Sequence, residues 1–130
     1  MDRKKILLVE DDQFTRELYE EVLTEAGYEV TTATNGEEGL NHIKNGGYDL
    51  IFLDVMMPKK DGLQVLRALK EEAPKTVNGG IILLTNLSND PVFNSAYGLN
   101  VGVADHLVKS DITPGDLVEK VKKYFQEAAK

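Results

Sequence analysis

The chain has no cysteine. That removes a disulfide framework, a thiolate metal site and a cysteine nucleophile, and it suits a reducing compartment. Long apolar runs are missing as well. ILLV at 6–9 and IILL at 81–84 fall far short of the roughly 20 residues a membrane helix needs, and Met1-Asp2-Arg3-Lys4-Lys5 is not followed by a secretory segment. A cytoplasmic chain with no membrane partner is expected. Positive charge is scarce: 15 Lys and Arg stand against 22 Asp and Glu, for a net charge of −7, and the basic residues are scattered. Nucleic acid and anionic lipid both attract Lys and Arg clustered on one face, so no nucleic-acid partner is expected either.

What is present is enough for one folded unit. A chain of 130 residues, 42% hydrophobic and 28% charged, has the size and balance of a single soluble domain, expected to span 1–130 with no output domain. Short β-like runs, KILLV at 5–9, EVTTAT at 29–34, DLIFL at 49–53, GIILLT at 80–85 and ADHLV at 104–108, alternate with helical patterns. Phe14, Leu18 and Val22 recur every four residues among charged neighbours, and Gly27 ends that helix. Leu40 and Ile43 mark a second helix, and Val65, Leu66 and Leu69 a third. Asp90-Pro91 is suited to start a fourth, and Thr113-Pro114-Gly115-Asp116 a fifth, whose buried stripe is Leu117, Val118, Val121 and Phe125. Five βα units in series predict a parallel sheet with helices on both faces, joined by right-handed crossovers. PKTVNGG at 74–80 reads as a loop within the domain.

Ligands of open parallel sheets bind at the carboxyl ends of the strands, beside the point where strand order reverses. The residues expected there are Glu10-Asp11-Asp12 after the first strand, Asp54 after the third, Thr85 at the end of the fourth and Lys109 at the end of the fifth. Asp54 is the anomaly, a carboxylate directly after the buried run Ile51-Phe52-Leu53. Converging carboxylates repel one another unless a proton or a cation intervenes, and an oxygen-only cluster without His or Cys selects a hard divalent ion such as Mg²⁺. A lysine and a hydroxyl opposite the ion would complete a phosphoryl pocket, in which an aspartate could serve as nucleophile and form an acyl phosphate.

The ordered motifs ILLVEDD at 6–12, the apolar strand ending in Asp54, MMPKKDG at 56–62, Thr85 and Lys109 together resemble the receiver domain of two-component response regulators, over essentially the whole chain. The resemblance implies a flavodoxin-like doubly wound α/β fold with five strands in the order 2-1-3-4-5. It implies that Asp54 accepts a phosphoryl group from the phosphohistidine of a sensor histidine kinase or histidine phosphotransfer protein, in a signalling domain rather than a conventional enzyme. Asp11, Asp54 and the main-chain carbonyl of Met56 would ligate Mg²⁺, with Glu10 acting through bound water. Lys109 would pair with phosphoryl oxygens and Thr85 would hydrogen-bond them. His106, three residues before the lysine, occupies the switch position that similar domains couple to the threonine, reporting to a downstream protein through the fourth helix, fifth strand and fifth helix.

Each residue also has a plainer reading. Asp12, just before Gln13-Phe14, is placed to cap the first helix. Lys109 alone would be a solvated lysine, Thr85 alone a strand-end hydroxyl, and His106 a half-exposed strand residue; only the constellation promotes them. His42 is expected at the surface without chemistry, and Met56 and Met57 as filler around Pro58. Asn86 stands where the family prefers a small residue, which would narrow access to the pocket, and Met56 and Leu87 add apolar bulk expected to slow attack by water. Ser110 stands where many relatives carry a cis proline; a cis bond before serine costs about 3 kcal/mol, so trans geometry or stored strain is expected. From Pro91 to Ala104 no residue is charged, which points to a helix that is buried on both faces or presents a partner surface.

Three rival functions fit these residues less well. A Mg²⁺ phosphohydrolase with an aspartyl nucleophile would want an acid where Met56 stands, and a flavin carrier would find its phosphate repelled by Glu10-Asp11-Asp12. A pseudo-receiver scaffold that binds a partner without being phosphorylated is the nearest rival, and the intact acidic, acceptor, hydroxyl and lysine positions oppose it.

Overall fold

The computed structural model describes residues 3–57, 59–72, 78–86 and 92–129, with backbone alone at 92 and 93. Strands β1 (Lys5–Val9), β2 (Glu29–Ala33), β3 (Leu50–Asp54), β4 (Gly80–Thr85) and β5 (Val103–Val108) alternate with helices α1 (Gln13–Glu25), α2 (Gly36–Asn45), α3 (Gly62–Glu72), α4 (Val92–Gly98) and α5 (Pro114–Ala128). All pairings are parallel and the order is β2-β1-β3-β4-β5, so the strand order reverses between β1 and β3. This is the doubly wound flavodoxin-like arrangement expected.

Alternation of side chains along the strands divides the core in two. Leu7, Val9, Ile51, Leu53, Ile81 and Leu83 meet Leu40 and Ile43 of α2, Val65, Leu66 and Leu69 of α3, and Ala96 of α4. Ile6, Leu8, Leu50, Phe52, Ile82 and Leu84 meet Tyr19 and Leu23 of α1 and Leu117 and Val121 of α5. The central strands are buried on both faces, which is why they read as continuous apolar runs. β3 extends one residue further than its apolar run because Asp54 stays in the ladder opposite Leu84, carrying the carboxylate to the strand's final position. The ladder between β4 and β5 slips at Ile81/Ile82, where Val103 and Asp105 are the successive partners and Ala104 is extra, a bulge at the sheet's edge.

The helix starts form as their residues dictate. Asp12 Oδ2 accepts from the Thr15 backbone N–H at 2.9 Å, so Asp12 is the cap of α1. Thr113 and Asp116 exchange backbone-to-side-chain bonds at 2.9 and 3.1 Å in a capping box, with Pro114 in the first turn of α5. Thr113→Ala is expected to lower the unfolding free energy by about 1 kcal/mol, read as an earlier urea midpoint with unchanged slope; an unmoved midpoint would deny the cap any net effect. Asp90 and Pro91, expected to start the fourth helix, lie outside the described residues, as does most of the loop at 74–80. Gly62 brings α3 against the strand: a Cβ there would lie 2.6 Å from the Asp54 carbonyl oxygen, so only glycine permits this approach beneath the site.

Candidate functional site

Glu10, Asp54 and Lys109 follow or end β1, β3 and β5 with the same parity as Leu8, Phe52 and Leu107, so all three point toward the face covered by α1 and α5. Glu10 is fully buried, Asp54 is 2% exposed and the Lys109 side chain 12%. The ammonium of Lys109 lies between the acids, donating to Glu10 Oε1 at 2.6 Å and to Asp54 Oδ2 at 3.1 Å. Glu10 Oε2 also accepts from the Asp12 backbone N–H at 3.1 Å, and Asp54 Oδ1 from the Met56 N–H at 3.1 Å. Asp11 is exposed at the rim, yet one carboxylate oxygen from each of Glu10, Asp11 and Asp54 lies within 4.8 Å of the others. The expected convergence of separate strand ends is therefore present.

One cation serving two buried carboxylates leaves the site electrostatically unbalanced. Burial, followed by hydrogen bonding with and repulsion from Glu10, pushes the Asp54 carboxyl up to about 8, against the opposing pull of Lys109. Burial works against the Lys109 ammonium, but Glu10 and Asp54 outweigh it and hold that group above the ordinary lysine value. A divalent ion fits this donor set: it supplies the missing positive charge, and the ligands are all oxygens. Glu10, Asp11 and Asp54 are the residues that could hold it. An open cleft of about 490 Å³ lies over them, walled by Asp12, Met56, Asn86 and Ser110. A second groove of about 410 Å³, between β5 and α5, is lined by Ile82, Asp105, Lys120, Tyr124 and Glu127; among the described residues the cluster of three acids able to share an ion lies in the first cleft.

Thr85 is buried at the end of β4, one residue past the partner of Asp54, and pairs with Val108 just before Lys109. His106 shares the sheet face of Leu83 and Thr85; its ring reaches away from the carboxylates to Tyr97 of α4, whose hydroxyl lies 2.9 Å from Nδ1. The Lys109–Ser110 peptide is trans, and Asn86 is exposed on the cleft wall. Met56 is 64% exposed on the cleft wall, as expected of a residue rimming the pocket and not as filler, and it lies between Val55, which is buried, and Met57, which packs against the core. His42 is half-buried and pairs with Tyr48, Oη to Nδ1 3.2 Å. Leu87 lies outside the described residues.

Two contributors escaped the reading of the sequence. Arg16 donates to the Glu10 and Asp11 carbonyl oxygens at 3.0 and 3.2 Å, pinning the acidic turn to α1; its spacing from Asp11 is a weak cue because an arginine on a helix is ordinarily solvated. The direct Lys109–Glu10 contact has no cue in the order of residues, since the expected route for Glu10 was through water to the ion.

A doubly wound sheet with an acidic, lysine-bridged cleft at its strand reversal offers the oxygen donors and the room for a divalent cation. Comparison with known proteins is specific: residues 6–122 match the family described as the response regulator receiver domain, and the chain belongs to that family. It is 37% identical over 126 residues to the transcriptional regulatory protein PcoR of Escherichia coli, covering 96% of this chain and 53% of PcoR. It is 36% identical over 119 residues to the alkaline phosphatase synthesis transcriptional regulatory protein PhoP of Bacillus subtilis, covering 92% and 47%. The chain thus spans about half the length of the curated relatives it matches. Among solved structures, the response regulator TrrA of Thermotoga maritima in complex with Mg²⁺-BeF superposes with a TM-score of 0.74 at 40% identity, covering 92% of this chain and 97% of TrrA. The chemotaxis protein CheY4 of Vibrio cholerae gives 0.76 at 30% identity, covering 94% and 98%. Among the described residues, no helix is long and apolar enough to cross a membrane.

Proposed function

We propose that residues 1–130 act as a cytoplasmic phosphorylation switch, with Asp54 as the acceptor of a phosphoryl group from a sensor histidine kinase or a histidine phosphotransfer protein. The observation that carries this reading is the placement of Lys109 Nζ between Asp54 Oδ2 and Glu10 Oε1, with Asp11 at the rim of the same cleft. In the transfer an Asp54 carboxylate oxygen attacks phosphorus, and the bond from phosphorus to the donor imidazole breaks. The imidazole leaves with the electron pair and takes up a proton. Asp11, Asp54 and the Met56 carbonyl would hold Mg²⁺, with Glu10 acting through water, and the ion would supply charge neutralisation for the phosphoryl oxygens. Lys109 would exchange a carboxylate partner for a phosphoryl oxygen, and the Thr85 hydroxyl would move in to donate to another.

Phosphorylation would then shift a pre-existing equilibrium of the surface formed by α4, β5 and α5, with His106 and Thr85 as the coupled switch and a downstream protein as reader. The curated relatives named here are transcriptional regulators about twice as long; the absence of a nucleic-acid partner is proposed only for these 130 residues, on their net charge of −7.

Incubation with a small phosphodonor, with and without Mg²⁺, followed by intact-mass measurement, tests the reading against that of an unphosphorylated scaffold. One phosphoryl increment is expected in the wild type with Mg²⁺ and none in Asp54→Asn; no increment with any donor would favour the scaffold. Met56 on the cleft wall further predicts slow loss of the label in Mg²⁺ buffer, and rapid loss would contradict that role.

A further inference from the structure

α4 is short, seven residues, and a helix of that length is not stable on its own. Among its described side chains Ala96 is buried, while Asn94, Ser95 and Tyr97 are exposed. Its aromatic residue nevertheless makes a specific contact: the Tyr97 hydroxyl lies 2.9 Å from His106 Nδ1, with the rings edge to face at 6.1 Å. The His106 backbone is held separately. Its backbone N–H donates to Asp105 Oδ1 at 2.8 Å, and Asp105 Oδ2 is ion-paired with Lys120 of α5. Polar contacts therefore join Tyr97 of α4 to the His106 ring, and the His106 backbone through Asp105 to Lys120 of α5.

We propose that Tyr97 is the positioning residue for His106, and that the Tyr97–His106 bond is a latch that holds α4 on the sheet. The latch itself follows from this geometry; its release on phosphorylation rests on the function proposed above. His106 and Thr85 lie on one sheet face, in adjacent strands, so a movement of Thr85 toward a phosphoryl group on Asp54 acts on the same packing layer as the histidine ring.

Hydrogen exchange of the full chain, with and without beryllofluoride and Mg²⁺ as a phosphoryl mimic, tests both parts. Without the mimic, Tyr97→Phe should raise exchange of the α4 amides about fivefold, as loss of one hydrogen bond implies, leaving β1 and β3 unchanged. His106→Phe should do the same, and the double variant should exceed neither, since both remove one bond. Unchanged α4 exchange in both single variants, or fully additive effects, would overturn the latch. In the wild type the mimic should raise α4 exchange by a similar factor, and in Tyr97→Phe it should add little. If the variants loosen α4 while the mimic does nothing to the wild type, the latch stands and the phosphorylation reading fails.

Discussion

Metal-free Asp54→Asn protein is expected to be more stable than the wild type at pH 8, by about 2 kcal/mol. Asp54 and Glu10 are both buried and share one ammonium, so the site holds a carboxylate that folding has removed from water without a full counter-charge. Asparagine keeps an oxygen to accept from the Met56 N–H and removes the charge. The dependence on pH has a defined sign. The folded carboxyl titrates at about 8 against an ordinary value of 3.8, so between those limits the folded chain holds the proton more tightly than the unfolded chain. This group's contribution to stability is complete below about pH 4 and falls away as pH rises through 8. The advantage of Asp54→Asn should accordingly be small at pH 5 and grow toward pH 8, as seen in urea midpoints. Saturating Mg²⁺ should close the gap, because a ligand at about 100 times its Kd adds roughly 2.7 kcal/mol to the wild type alone. A wild type more stable than the variant at pH 8 without metal would show that Lys109 fully compensates both acids.

Removing the cation should have the opposite effect. Lys109→Met preserves most of the aliphatic stem and leaves Glu10 and Asp54 facing each other without a positive charge. A buried ion pair broken on one side costs about 3–5 kcal/mol, and the lower end applies here because the two acids can share a proton. The loss should be largest at pH 8 and shrink toward pH 5, where a proton takes the place of the ammonium. The raised lysine value gives the matching sign: its contribution is whole below the ordinary value of 10.5 and disappears only above it, so throughout this range the wild type keeps its full benefit. Equal urea midpoints for Lys109→Met and wild type at pH 8 would mean that the ammonium contributes no net stability to the fold.

The fold and most of the site were legible in the order of residues because both are written in patterns that local physics enforces. ILLV at 6–9, LIFL at 50–53 and IILL at 81–84 are uninterrupted because their strands are covered on both faces, and Asp54 stood out for breaking one of them. Asp12 and Thr113 declared themselves as caps because a helix start leaves free N–H groups that short polar side chains satisfy. The contacts that were not legible join residues far apart in sequence whose types are individually ordinary. Lys109 meeting Glu10 spans 99 positions, and Tyr97 meeting His106 depends on how a short helix rotates over an edge strand. Met56 carries two readings in the sequence, filler or pocket rim, because an apolar residue in a loop can pack or line a cleft; its exposure on the cleft wall favours the second.

The central claim, that Asp54 is where the phosphoryl group resides, is tested most directly by chemical trapping. An acyl phosphate is reduced by borohydride, converting the aspartate that carried it to homoserine. Wild-type protein treated with a small phosphodonor and Mg²⁺, reduced and digested, should yield homoserine at position 54 in the peptide spectrum, and omission of Mg²⁺ should remove it. Homoserine at Asp11 or Asp12, or at no position despite a phosphoryl increment in the intact mass, would contradict the account.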